Sequence, residues 1–252
     1  MIGCGAMGGA MLDRWLATGT DPGQLTVIRP SGAAVAPGVR VLTDVPDEAA
    51  PDVVLLAMKP HQLDDALRTG VAGSATLVVS ILAGIRTAEL RRHLPQARAV
   101  VRAMPNLPVA LGRGVVALTG DTSGRSAVAA LMAPLGLIEW IDDEARFDAV
   151  TALAGSGPAF VYRMIDALAA GGIALGLPDE QAARLALATV AGAGALAAGS
   201  ELPPHALAER VASKGGSTRA GLDVLDAGGA LERLVAATLA AAAARNRELA
   251  GG

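Results

Sequence analysis

Short runs of β-branched and aliphatic residues constrain the first part of this 252-residue chain more than any other feature. They are Leu25–Ile28, Val39–Leu42, Val53–Ala57, Leu77–Ile81 and Ala99–Val101. Helix-like stretches fall between several of them, such as Gly8–Thr18 and Thr87–Leu94. Near-continuous apolar strands separated by helices predict a parallel sheet covered on both faces, because strands open to water on one face would alternate polar and apolar. Two further strand candidates, Val115–Leu118 and Leu137–Ile141, close the sheet.

The texture changes after about Asp143. No convincing strand follows, and the segments Phe160–Ala170, Pro178–Ala198 and Leu231–Leu249 are long and alanine-rich. Pro158 and Pro178 stand where a first helical turn would begin, and Asp179 and Glu180 then fall where the helix dipole favours acids. The chain divides into an α/β part over residues 1–145 and an all-helical part over 146–252.

Composition excludes several function classes. A net charge of −3 argues against nucleic acid or acidic membranes as partners. No wholly apolar run reaches the ~20 residues of a membrane span, and no basic stretch precedes an apolar one at the start. The single cysteine, Cys4, forbids an internal disulfide. The three histidines are scattered, so no metal site is expected. A cytoplasmic globular protein is the expectation.

The strongest local motif is Gly3-x-Gly5-x-x-Gly8, near the start. In a dinucleotide loop the first glycine makes a tight turn, the second admits the pyrophosphate and the third lets helix pack on sheet. The second strand then decides the cofactor. An NAD site usually ends it with an acid, but here it ends Ile28-Arg29-Pro30-Ser31. A guanidinium and a hydroxyl suit a 2′-phosphate, which points to NADP. Ala57-Met58-Lys59-Pro60-His61 ends a buried strand, where ligands sit in open α/β sheets. Asn106, between Pro105 and Pro108, presents an amide from a rigid loop. Ser213-Lys214-Gly215-Gly216-Ser217-Thr218 precedes a helix and suits a small carboxylate, or simply a helix capped by Ser217 or Thr218.

Together, IGCGAMGGAM, LLAMKPHQL, SILAGI, VRAMPNLPV, ALAGSGPAF and VASKGGSTRAGLDVLDAGG resemble the pyrroline-5-carboxylate reductases, in order over essentially the whole chain. The resemblance implies an N-terminal Rossmann-like doubly wound sheet and an all-α C-terminal dimerisation domain. It implies hydride transfer from NADPH, with NADH as a second donor, to 1-pyrroline-5-carboxylate, giving L-proline. It further implies a homodimer with interlocked helical domains, which many members extend to larger rings. Carried over residue by residue, Ile2, Gly3, Cys4, Gly5, Ala6 and Met7 would line the dinucleotide phosphates. Arg29 and Ser31 would meet the 2′-phosphate. Ala57, Met58, Lys59 and Pro60 would hold ribose and nicotinamide, and Asn106 would face the nicotinamide. Ser213, Gly215, Gly216, Ser217 and Thr218 would bind the substrate carboxylate, with Thr218 as proton donor and Glu201 near the substrate amine.

The family usually has asparagine at Ala6, glutamine at His61, threonine at Leu107 and proline at Lys214. The last change adds a charge beside the carboxylate loop and leaves a different cyclic imine open as substrate. Family members also carry several more residues before the matching Ile2. The natural product is therefore expected to start upstream, since losing a central strand would expose its neighbours' edges. Two other readings remain. A β-hydroxyacid dehydrogenase would need a helix-borne lysine in the second part, where Lys214 is the only lysine. A catalytically weak nucleotide-binding dimer would bind cofactor without turnover.

Overall fold

The computed structural model describes residues 1–67 and 70–250. It separates into two compact units, Met1–Ser156 with the C-terminal run from Ala241, and Gly157–Ala240.

The first unit is built on a twisted sheet. Helix α1 (Ala6–Ala17) is followed by strands β1 (Thr26–Ile28), β2 (Arg40–Leu42) and β3 (Val53–Leu56). Helix α2 (Leu63–Leu67), strand β4 (Leu77–Ser80), helix α3 (Thr87–His93) and strand β5 (Ala99–Pro105) continue the alternation. Strand β6 (Gly114–Gly120), helix α4 (Arg125–Met132) and strand β7 (Gly136–Trp140) complete it. Strands β3 to β7 lie side by side in sequence order, and β1 pairs with β2. All pairings are parallel except β5 with β6, which are antiparallel across the connection 106–113.

The sheet buries both faces, as the unbroken apolar runs require. Leu55, Leu77, Val79, Ala99 and Val101 point to one side, against Met11 and Trp15 of α1 and Val128 and Met132 of α4. Val54, Leu56, Val78 and Val100 point to the other, against Leu63 of α2 and Leu90 of α3.

The expected gap in the sheet centre is bridged by two residues. Ile2 forms parallel bridges to both Ile28 and Leu56. Its amide donates to the Leu55 carbonyl and its carbonyl accepts from Ala57, each at 2.8 Å. On the other side Ile28 donates to Met1 and Gly3 donates to Ile28, again at 2.8 Å. The Met1 amine donates to the Thr26 carbonyl at 2.7 Å. Burial pushes this amine down to about 6. The stub thus occupies the carboxyl end of the central position, the end that carries the site. At the other end of β3, Val53 is 37 % exposed.

The compact unit built on the sheet runs on to Ser156. A short helix α5 (Phe147–Val150) runs into a π-helical turn, Thr151–Gly155. Phe147 is buried, with the Arg102 guanidinium 4.5 Å over its ring. Arg102 also pairs with Glu144 at 3.2 Å, and Glu144 accepts from the backbone N–H of Thr87 at 3.1 Å. These contacts bind residues 144–155 to the sheet, so the division falls after Ser156.

The second unit is helical: α6 (Gly157–Ala174), α7 (Asp179–Ala198), α8 (Pro204–Val211), α9 (Ser217–Asp226) and α10, which starts at Ala230 and ends at Ala250 in the first unit. Its own core is small, with Ala169, Ala182 and Ala186 against Ile165. Leu175, Leu196, Val224 and Leu234 stand largely exposed. Two stretches, Asp179–Ala198 and Ser217–Glu248, match a membrane span in length and mean hydropathy although neither is an unbroken apolar run. Apolar surface on this scale marks an interaction face.

Candidate active site

A cleft of about 810 Å³ opens at the carboxyl ends of β1 and β3. Ile2, Gly3, Cys4, Gly5, Ala6 and Met7 form one wall, Arg29 and Ser31 one end, and Ala57, Met58, Lys59 and Pro60 the facing wall. Twelve of the thirteen residues expected to contact cofactor therefore share one cavity.

The three glycines differ in what a side chain would meet. Gly3 has φ +81°, and a Cβ there would lie 2.6 Å from the Met58 backbone nitrogen, so only glycine makes this turn. A Cβ on Gly8 would lie 3.3 Å from the Ala57 Cβ, which is the close helix–strand approach. A Cβ on Gly5 would meet nothing within 4 Å. Gly5 is also the N-cap of α1, which has no side-chain cap and no acid in its first turn. The free N–H groups and positive dipole end of α1 are thus open to an anion. This cradle fits a dinucleotide diphosphate.

Arg29 adds positive charge here. Burial pushes the Cys4 thiol up, and Arg29 pulls against it, which places its field over the glycine loop. A thiol raised in this way is a small filler, not a nucleophile. The Lys59 backbone N–H donates to the Gln62 side chain at 3.1 Å, fixing the turn after β3.

Asn106 departs from expectation. It does not line the cleft. At 6 % exposure, its Oδ1 accepts from Val115 N–H and its Nδ2 donates to the Ala154 carbonyl, both at 2.8 Å. The residue four beyond Ala154 is Pro158, which has no N–H to give that carbonyl. Asn106 supplies the missing donor. These bonds position the π-helical turn.

The substrate set lies in the second unit. Gly216 is the N-cap of α9, and no side chain caps the helix, so Ser217 and Thr218 keep their hydroxyls free of capping. Gly215 has φ +71°, and a Cβ on Gly216 would lie 2.4 Å from the Ser213 Oγ. Gly215 is required by its left-handed backbone, while Gly216 leaves room for the Ser213 hydroxyl near the helix start. Arg219 straps α8 to α9 through Glu209 at 2.5 Å and holds that carboxyl below its ordinary range. Ser213, Ser217 and Thr218 are exposed, as is Glu201 between α7 and α8. Among the described residues no cluster suits a metal ion.

Sequence reasoning missed Thr43, Asp44, Val45 and Gln62, which also line the cleft. The first three follow β2, and the rule that ligands sit at strand carboxyl ends would have found them.

Known proteins bear on this geometry. A family model described as pyrroline-5-carboxylate reductase dimerisation matches residues 144–249, and one described as NADP oxidoreductase, coenzyme F420-dependent, matches residues 1–84. A pyrroline-5-carboxylate reductase of Pseudomonas aeruginosa is 41% identical over 79% of this chain and 75% of its own. One from Synechocystis is 37% identical over 96% of this chain and 94% of its own. Among solved structures, a pyrroline-5-carboxylate reductase from Coxiella burnetii superposes with a TM-score of 0.89 at 31% identity, covering 98% of this chain and 96% of that one. The Plasmodium falciparum enzyme, solved with NADP bound, has the same fold, with a TM-score of 0.82 at 24% identity over 99% and 96% of the two chains. The chain belongs to the pyrroline-5-carboxylate reductase family, NADPH-dependent oxidoreductases that complete proline biosynthesis.

Proposed function

We propose that this chain binds NADPH in the cleft of the first unit and reduces 1-pyrroline-5-carboxylate on the loop that opens α9. The observation that carries the reading is the uncapped start of α1 behind Gly5, with Arg29 and Ser31 at the end of the same cleft. The α1 N–H groups hold the diphosphate, and Arg29 with Ser31 holds the 2′-phosphate. When bound, the reduced nicotinamide supplies the hydride.

The rest belongs to the protein. Ser213, the N–H groups after Gly215 and the Ser217 hydroxyl hold the substrate carboxylate and so orient the ring. The Thr218 hydroxyl donates to the ring nitrogen. The imine carbon gains hydride, the C=N π pair becomes the nitrogen lone pair, and that nitrogen takes the proton through Thr218, which is refilled from water. Glu201 lies near the substrate amine. Lys214 adds attraction for the carboxylate. No strong base is required, in keeping with a loop that carries hydroxyls and glycines.

The exposed apolar faces of the second unit are covered by a second copy, giving a homodimer through the helical domain that can assemble further. The setting is cytoplasmic, with no nucleic-acid or membrane partner.

The test is Thr218→Val beside Thr218→Ser. Removing the hydroxyl lowers kcat by about 100-fold while the NADPH Kd stays at the parent value, and serine restores most of the rate. A valine variant as fast as the parent would remove Thr218 from the chemistry.

A further inference from the structure

The end of the cleft that holds Arg29 also holds an acid. We infer that Asp44 tunes cofactor choice: its carboxylate accepts from the ribose 2′-hydroxyl of an unphosphorylated dinucleotide and opposes the 2′-phosphate, and so narrows the preference that Arg29 gives. The inference rests on the cleft being the cofactor site.

The placement follows from strand register. Strands β1 and β2 are parallel neighbours, with Ile28 opposite Leu42. Neighbouring strands run about 4.8 Å apart. Arg29 and Thr43 are the next residues on each, and the Arg29 N–H donates to the Leu42 carbonyl at 2.9 Å. The turn after β1 stays against the end of β2, since a Cβ on Gly32 would lie 3.5 Å from the Thr43 methyl. Arg29, Ser31, Thr43 and Asp44 then face the same cavity.

The charges are arranged to act on a ligand. Among the described residues Arg29 forms no ion pair with Asp44. The Asp44 carboxylate instead accepts from the Thr43 hydroxyl at 2.9 Å, and both residues line the cleft. A carboxylate beside a ribose is the device by which nucleotide-binding sheets recognise a free 2′-hydroxyl. In most such sheets it ends the second strand. Here arginine takes that position and the acid stands at the end of the adjacent strand. The site therefore offers one partner to each form of the cofactor. Both side chains carry the discrimination, and neither supports the core, because Asp44 is exposed and Arg29 only partly covered.

Isothermal titration of the full-length protein with NADP⁺ and with NAD⁺ tests this without turnover. Asp44→Asn removes the repulsion, and NADP⁺ binding tightens by about tenfold. Asp44→Ala also loses the hydroxyl acceptor, and NAD⁺ binding weakens by about fivefold. Arg29→Ala weakens NADP⁺ by about 30-fold with NAD⁺ little changed. An NADP⁺ to NAD⁺ affinity ratio within about twofold of the parent in both Asp44 variants overturns the inference and leaves the cofactor site standing. A parent protein that binds neither dinucleotide overturns both.

Discussion

Gly3 and Gly5 stand two residues apart in one loop, yet alanine at each has opposite consequences. At Gly3 the backbone is left-handed, at φ +81°, and a methyl group would sit 2.6 Å from the Met58 nitrogen and 2.8 Å from the Ala57 carbonyl carbon. Both are backbone atoms of the turn after β3 and cannot swing aside. The left-handed conformation alone costs about 1–2 kcal/mol, and the overlap adds more. A total of about 3 kcal/mol would lower Tm by roughly 6–12 °C in a chain of this length. At Gly5 the backbone is extended, at φ −83° and ψ −164°, which any residue adopts, and the methyl meets no protein atom. Gly5→Ala therefore leaves Tm within about 2 °C of the parent. The same methyl occupies the space through which a diphosphate reaches the α1 N–H groups. Two charge-assisted hydrogen bonds at about 1.5 kcal/mol each amount to a 100-fold weaker NADPH complex, or roughly 3 kcal/mol. Thermal melting and a fluorescence titration with NADPH separate the effects. A Gly5→Ala protein that binds NADPH as the parent does, or that melts as low as Gly3→Ala, would refute the assignment of roles.

Three further outcomes follow from the same contacts. Asn106→Leu leaves Val115 N–H and the Ala154 carbonyl without partners, which lowers stability by about 2–4 kcal/mol in denaturant titration, against less than about 1 kcal/mol for a surface asparagine. Glu144→Ala leaves the buried Arg102 guanidinium uncompensated and uncaps the start of α3. It lowers stability by about 2–3 kcal/mol, and Glu144→Gln recovers part of it. In a chain whose first residue is Met1, the amine binds its proton near pH 8 when unfolded and near pH 6 when folded. The unfolded state then holds the extra proton, so stability is full above pH 8 and falls as pH drops toward 6. The loss is about 2 kcal/mol, and denaturant midpoints that do not fall across that window would contradict the burial of the amine.

Much of this was legible because local and tertiary physics agree. Val53–Leu56, Leu77–Ser80 and Ala99–Val101 are apolar on both faces, and both faces are buried. The glycine spacing carried its own geometry, since Gly3 and Gly8 answer steric demands within the protein and Gly5 leaves the start of α1 open. What was not legible depends on partners distant in sequence. Nothing in Met1-Ile2 announces that two residues suffice to bridge β1 and β3. Asn106 read as an offered amide because Ala154, which it engages, lies far along the chain, and Val115 reaches it only through the pairing of β6 with β5. Pro158 did carry a usable signal, since it strips a donor from the carbonyl four residues before it. Asp44 follows the run Val39–Leu42 and was open to the strand-end rule, but that it shares a cavity with Arg29 depends on the register of β1 on β2.

The measurement that bears most directly on the central claim is steady-state turnover of the parent protein with 1-pyrroline-5-carboxylate, following NADPH absorbance and proline together. NADPH is consumed and proline formed in equal amounts, with saturation in both substrates. NADPH that binds but is not consumed, or is consumed without proline appearing, would contradict it.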